Sequence, residues 1–147
     1  MKYQIGLVGC GGISSIWKDT ISRNPDCRVK YTYDVVPEAA AKRAAEVGAE
    51  PAASVEQLLD AEDIDLVIVG TPTFTHANLV VQAARAGKNI LCEKPMALTL
   101  DQCRRMINAC GTAGVKLMGS ATGCSGHHTN RVRSTISRLA IPIPSPV

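Results

Sequence analysis

The chain opens on Ile5-Gly6-Leu7-Val8-Gly9-Cys10-Gly11-Gly12-Ile13, a short apolar strand that runs straight into clustered glycines. A strand that ends in glycines and leads into a helix lets backbone N–H groups approach a diphosphate, and the helix N-terminus favours its negative charge. The pattern reads Gly9-x-Gly11-x-x-Ser14, with Ser at the third small position. Alone, a pattern this short arises by chance; its context gives it weight. A strand precedes it, a helix follows, and an acid closes the next strand. Lying at the start of the sequence, it makes cofactor binding the first expectation for this domain.

That acid is Asp34, 23 residues beyond Gly11. A carboxylate there accepts hydrogen bonds from the ribose hydroxyls of a dinucleotide and repels a 2′-phosphate, which predicts NAD in preference to NADP. Val35 and Val36 offer no guanidinium for such a phosphate. The competing reading makes Asp34 an ordinary turn residue ahead of Pro37.

Alternation of apolar runs with helical stretches continues along the chain. Strands are expected at 3–8, 28–34, 49–53, 65–70, 89–92 and 115–118, and helices at 12–23, 38–47, 73–86 and from about 99. Pro37 opens the second helix and Gly48 stops it. Ser54-Val55-Glu56-Gln57 and Thr99-Leu100-Asp101-Gln102 read as capping boxes. Cys103, Met106, Ile107 and Cys110 stand at core spacing on the last helix. Asp65-Leu66-Val67-Ile68-Val69-Gly70, apolar on both faces, reads as a central parallel strand. The whole predicts an α/β doubly wound parallel sheet over residues 1–118.

With 147 residues and 46% hydrophobic content, one domain can bury a core. Aromatic residues make up only 3%, which leaves no stacking platform for bases. The net charge of +3 lies wholly in Arg131, Arg133 and Arg138, so the balanced body argues against nucleic acid as a partner. No apolar run is long enough for a membrane span or a signal sequence. Six cysteines without a C-x-x-C pair read as reduced thiols in a soluble cytoplasmic protein rather than as a zinc site.

Residues 119–147 break the pattern, as an irregular, basic, Ser/Thr/Pro-rich tail with at most a weak helix over 129–139. The alternating prolines after Ile141 suit neither helix nor central strand. His127 and His128 tempt as ligands or bases, but no acid accompanies them in the tail.

The ends of strands four and five, where ligands of such sheets sit, carry Thr71-Pro72-Thr73 with His76, and Ala86-Gly87-Lys88 leading to Glu93-Lys94-Pro95. With the opening Val8-Gly9-Cys10-Gly11-Gly12-Ile13, these three motifs in order resemble the N-terminal domain of the glucose–fructose oxidoreductase and inositol dehydrogenase family (Gfo/Idh/MocA). The resemblance implies an NAD(P)-dependent dehydrogenase that oxidises a secondary hydroxyl of a sugar or cyclitol. It implies that Gly9, Cys10, Gly11, Gly12 and Ile13 cradle the diphosphate. Thr71, Pro72 and Thr73 would line the groove, with His76 near the cofactor and Glu93 and Lys94 beside the nicotinamide. Lys94 is then the catalytic candidate, its ammonium holding the substrate hydroxyl and stabilising oxygen charge. The plain alternatives are helix-start hydrogen bonding for His76 and a solvent-reaching lysine for Lys94. Pro95 invites a cis peptide that would set the lysine's direction. Cys10 and Cys92 flank these positions but are not needed as nucleophiles in hydride transfer.

Relatives continue into a second α/β domain that supplies the substrate pocket, the usual dimer interface and a histidine acid/base. The sequence here stops before one, so a missing substrate domain is expected, with a frame disruption or truncation near residue 119. The alternative function is then a non-catalytic NAD-binding module. Uncovered apolar surface near helices four and five predicts self-association.

Overall fold

The structure, a computed structural model, describes residues 3–120. Six strands form one fully parallel sheet in the order β3-β2-β1-β4-β5-β6. They are β1 Tyr3–Val8, β2 Cys27–Tyr33, β3 Glu50–Pro51, β4 Leu66–Val69, β5 Asn89–Cys92 and β6 Leu117–Gly119. Between them run α1 Ile13–Ser22, α2 Pro37–Val47, α3 Val55–Asp60, α4 Thr73–Arg85 and α5 Leu100–Ala113. This is the doubly wound architecture that the alternation predicts.

Period-two alternation in the central strands builds two cores. Ile5, Leu7, Leu66, Ile68 and Leu91 face α1, where Trp17 and Ile21 meet them. Val8, Val67, Val69, Ile90 and Cys92 face the opposite layer, where α3, α4 and α5 supply Leu58, Val80, Ala83, Ala84 and Met106. In a core so poor in aromatic rings, alanines let α4 lie close to the sheet. Gly6 does the same for α3, since a Cβ there would fall 2.5 Å from Leu58 Cδ2.

Helix boundaries follow their local chemistry. Pro37 is the first residue of α2, and Gly48 ends it in the left-handed conformation at φ +66°. Ser54 Oγ and Thr99 Oγ1 accept the backbone N–H groups of Gln57 and Gln102, as capping boxes require. The return bonds differ: each glutamine side chain accepts from the residue before the cap, Ala53 at 2.7 Å and Leu98 at 3.0 Å.

Three expectations are corrected. The third strand shrinks to two residues, because only Tyr31 and Thr32 pair with it and Pro51 is one of the pair. The sixth begins at Leu117 rather than 115. Ile107 is 55% exposed, whereas Met106 and Cys110, one turn apart, make the buried ridge of α5. The expected weak helix at 129–139 and the tail histidines His127 and His128 lie outside the described residues. No described helix is long and apolar enough to cross a membrane.

Candidate functional site

Sheet order reverses at β1, which has β2 on one side and β4 on the other. Loops leaving the carboxyl ends of β1 and β4 therefore diverge to opposite faces and leave a crevice between them. A cleft of about 830 Å³ lies there. Its floor is Gly9, Gly11, Gly12 and Ile13, one wall is Asp34 and Val35, and the other is Gly70, Thr71, Pro72, Phe74 and Thr75.

The glycines of the turn have different jobs. Gly9 has φ +96°, and a Cβ there would lie 2.6 Å from the Gly70 carbonyl carbon and oxygen. Both conformation and close approach of the two loops require glycine. At Gly11 and Gly12 an added Cβ would meet nothing within 4 Å, so these positions leave open space. The third small position, Ser14, is fully buried and donates its hydroxyl to the Gly11 carbonyl. Serine is thus accommodated where close helix–strand packing favours glycine. Gly12 is the N-cap of α1 and no side chain caps that end, unlike the N-termini of α3 and α5. The Ser14 and Ser15 N–H groups bond back to the Gly11 and Gly12 carbonyls, and the N-terminus of α1 carries a partial positive charge at the floor of the crevice.

Asp34 stands at the mouth of this turn. Its Oδ2 accepts the Cys10 backbone N–H at 2.7 Å and its Oδ1 accepts the Val36 N–H at 2.9 Å. The first bond spans 24 residues and fixes the end of β2 against the glycine turn. Each carboxylate oxygen retains a lone pair for a further donor. The ordinary-turn reading accounts for the Val36 bond alone; the Cys10 bond makes Asp34 part of the crevice.

A second group gathers at the end of β5. Glu93 is 4% exposed; its Oε1 accepts the Trp17 indole N–H at 2.8 Å and its Oε2 the Lys94 backbone N–H at 3.1 Å. Lys94 is exposed, with no hydrogen-bond or ion-pair partner for its ammonium among the described residues. The Lys94–Pro95 peptide is cis. His76, 1% exposed, links the two groups: Nε2 lies 2.8 Å from the Thr71 carbonyl oxygen and Nδ1 3.1 Å from that of Pro95. It holds the loop after β4 to the loop after β5 and adds no wall to the cleft.

The sequence-predicted residues therefore fall into two sets. Gly9, Gly11, Gly12, Ile13, Asp34, Thr71 and Pro72 line the cleft; His76, Glu93 and Lys94 form the adjacent strand-end group. Cys10, expected in the cradle, is buried outside the lining with its backbone N–H donated to Asp34. Thr73 begins α4 outside the lining, while its neighbours Phe74 and Thr75 line it. Sequence reasoning passed over Phe74 and Trp17, and took Val35 only as a residue without a cation. The chain's only phenylalanine being 66% exposed is a structural signal, but the only tryptophan, on a predicted helix with a donor to satisfy, was a signal in the sequence itself.

The cysteines fit no nucleophile. Burial, followed by the nearby Asp34 charge, pushes the Cys10 thiol up to about 11. Burial and then Glu93 push Cys92 up to about 12. A thiol raised in the folded state stabilises the fold below the ordinary ionisation near 9 and loses that contribution as pH climbs toward the folded value. The urea midpoint is accordingly expected to fall from pH 9 towards 12, and to fall less steeply in Cys92→Ala. Parallel pH profiles for the two proteins would contradict this.

Comparison with known proteins bears on the whole described region. A family model for an oxidoreductase family with an NAD-binding Rossmann fold matches residues 3–120. Inositol 2-dehydrogenase of Rhizobium meliloti (strain 1021) is 35% identical over 136 residues, 92% of this chain and 41% of that protein. The 1,5-anhydro-D-fructose reductase of Ensifer adhaerens is 35% identical over 137 residues, 92% of this chain and 40% of that one. Among solved structures, the WlbA dehydrogenase from Bordetella pertussis, in complex with NADH and UDP-GlcNAcA, superposes with a TM-score of 0.79 at 32% identity. That match covers 92% of this chain and 38% of the other. The chain thus spans about two fifths of the length of these relatives. A match that runs the length of the described sheet goes beyond a common architecture: the chain belongs to the Gfo/Idh/MocA family of oxidoreductases with an NAD-binding Rossmann fold.

Proposed function

We propose that this chain binds NAD in preference to NADP, and forms the cofactor half of a dehydrogenase acting on a secondary hydroxyl of a sugar or cyclitol. The observation that carries the reading is the Asp34 carboxylate, held by the Cys10 N–H at the mouth of the glycine turn. From there it accepts the hydroxyls of an adenosine ribose and opposes a 2′-phosphate by charge. The residues fit the group: open space at Gly11 and Gly12 and an uncapped α1 N-terminus are what a diphosphate needs. When bound, NAD supplies the hydride acceptor. The chain's own part is to orient it and to present the Lys94 ammonium as a donor to the substrate oxygen, favouring the charge that develops there. The sugar and cyclitol class rests on what the similar proteins are named for, inositol and anhydrofructose among them.

Separate calorimetric titrations with NAD and NADP test the reading. NAD is expected to bind at least about tenfold more tightly, the factor given by one unpaired charge contact of about 1.4 kcal/mol. Equal or tighter binding of NADP would remove Asp34 from its role.

One observation favours the second reading, a module that binds NAD without turning over substrate: Lys94 is exposed and unpartnered among the described residues, on open surface rather than in an enclosed chamber. Assay against a polyol panel separates the two. NAD reduction that disappears in Lys94→Ala supports the dehydrogenase; binding without turnover supports the module. Exposed Phe74, Leu98 and Leu100 around this end also point to self-association, which light scattering would register as mass rising with concentration.

A further inference from the structure

Trp17 lies on α1, five residues beyond the Gly12 N-cap, and is 1% exposed. Its ring packs with Ile5, Leu7 and Ile68, which would account for a tryptophan as core filler. The indole N–H does something more. It donates to Glu93 Oε1 across 76 residues of sequence, at 2.8 Å. The same carboxyl accepts the Lys94 backbone N–H through Oε2. A single carboxyl, itself buried, therefore joins the helix whose N-terminus faces the diphosphate position to the strand end that carries the lysine.

Buried carboxyl oxygens hold their orientation only while their donors remain. Without the indole N–H, Oε1 loses the bond that ties it to α1, and the Lys94 segment held by Oε2 loses its link to that helix. The α1 N-terminus would not follow, because Ile13 and Ile21 still pack against the sheet. Resting on the cofactor reading above, we infer that Trp17 is a positioning residue: through Glu93 it sets the Lys94 segment against the nicotinamide end of the bound dinucleotide, and leaves the adenosine diphosphate end to the glycine turn and Asp34.

Two ligands divide the site accordingly. ADP-ribose contains the adenosine, the diphosphate and the second ribose; NAD adds the nicotinamide. Calorimetric affinities for both are measured on the wild-type chain and on Trp17→Phe, which keeps a ring in place and removes the N–H. NAD affinity is expected to fall about tenfold, the factor for one lost hydrogen bond to a buried carboxyl, with ADP-ribose within about twofold. A tryptophan that merely supports the fold would lower both equally. That outcome, or no change in either, overturns the proposal. Should Trp17→Phe fail to melt cooperatively, Glu93→Gln retains the shape while replacing one acceptor by a donor. The same split between ligands is expected from it, and its absence is equally decisive. Failure of the cofactor reading looks different, because the wild-type chain would then bind neither ligand; the positioning role would fall with it.

Discussion

Gly9→Ala is expected to unfold this chain about 10 °C earlier than wild type, the largest stability change available from a single methyl group in the crevice. Two costs combine. An L-residue at φ +96° bears about 1–2 kcal/mol of backbone strain. The new methyl also falls 2.6 Å from the Gly70 carbonyl, a backbone atom pair that cannot rotate away, for roughly another 1–3 kcal/mol of overpacking. A total near 3 kcal/mol converts to that shift at about 3 °C per kcal/mol for a chain of this size. Gly11→Ala is the control. Its Cβ meets nothing within 4 Å, so the melting temperature should stay at the wild-type value while NAD affinity drops. Equal melting temperatures for the two variants would contradict the assignment of different roles to the two glycines.

Asp34→Ala is expected to weaken NAD binding by about two orders of magnitude. The carboxylate accepts two backbone N–H groups, from Cys10 and Val36, and charged hydrogen bonds of this kind are worth about 1.5–3 kcal/mol each. Removing it strips the ribose of its acceptor and frees the glycine turn from β2 in the same step. For that reason Asp34→Asn should not convert the chain to NADP. Val35 and Val36 supply no cation, and the Arg43 guanidinium on α2 is 8% exposed and engaged with Ser15 and Glu46. Titration of both variants with both cofactors checks this. An Asp34→Asn protein that bound NADP as tightly as wild type binds NAD would show that a cation reaches the ribose from elsewhere.

Local signals made much of the fold legible. β5 is Asn89–Cys92 as its apolar run indicates, and α2 lies between the proline and glycine that the sequence supplies for its two ends. Local signals also explain the errors. Ile107 fits a helical stripe by spacing, but a stripe does not say how far round the helix the neighbouring layer extends, and α5 has its buried ridge on Met106 and Cys110. Glu50 and Pro51 pair with β2 alone, at an edge where one neighbour and a missing donor limit the strand.

The site divides along the same line. Glycine turn, acid and strand-end loops are contiguous motifs, and the cleft assembles from them. Trp17 and Glu93 meet only because α1 and β5 share one face of the sheet, and no spacing in the sequence encodes a contact across 76 residues. His76 is similar: its position early in α4 was readable, its bonds to Thr71 and Pro95 were not. Phe74 could be placed on the helix, while its exposure at the cleft wall follows from the tertiary arrangement of the loops around it.

Amide shifts of the 15N-labelled chain during titration with NAD address the central claim most directly. The largest changes should fall on Gly9, Cys10, Gly11, Gly12 and Ile13, with Val36 moving as the Asp34 carboxylate takes on the ribose. Saturating NAD that leaves those amides in place, or that shifts instead the groove between α4 and α5 around Arg85 and Arg105, would contradict it.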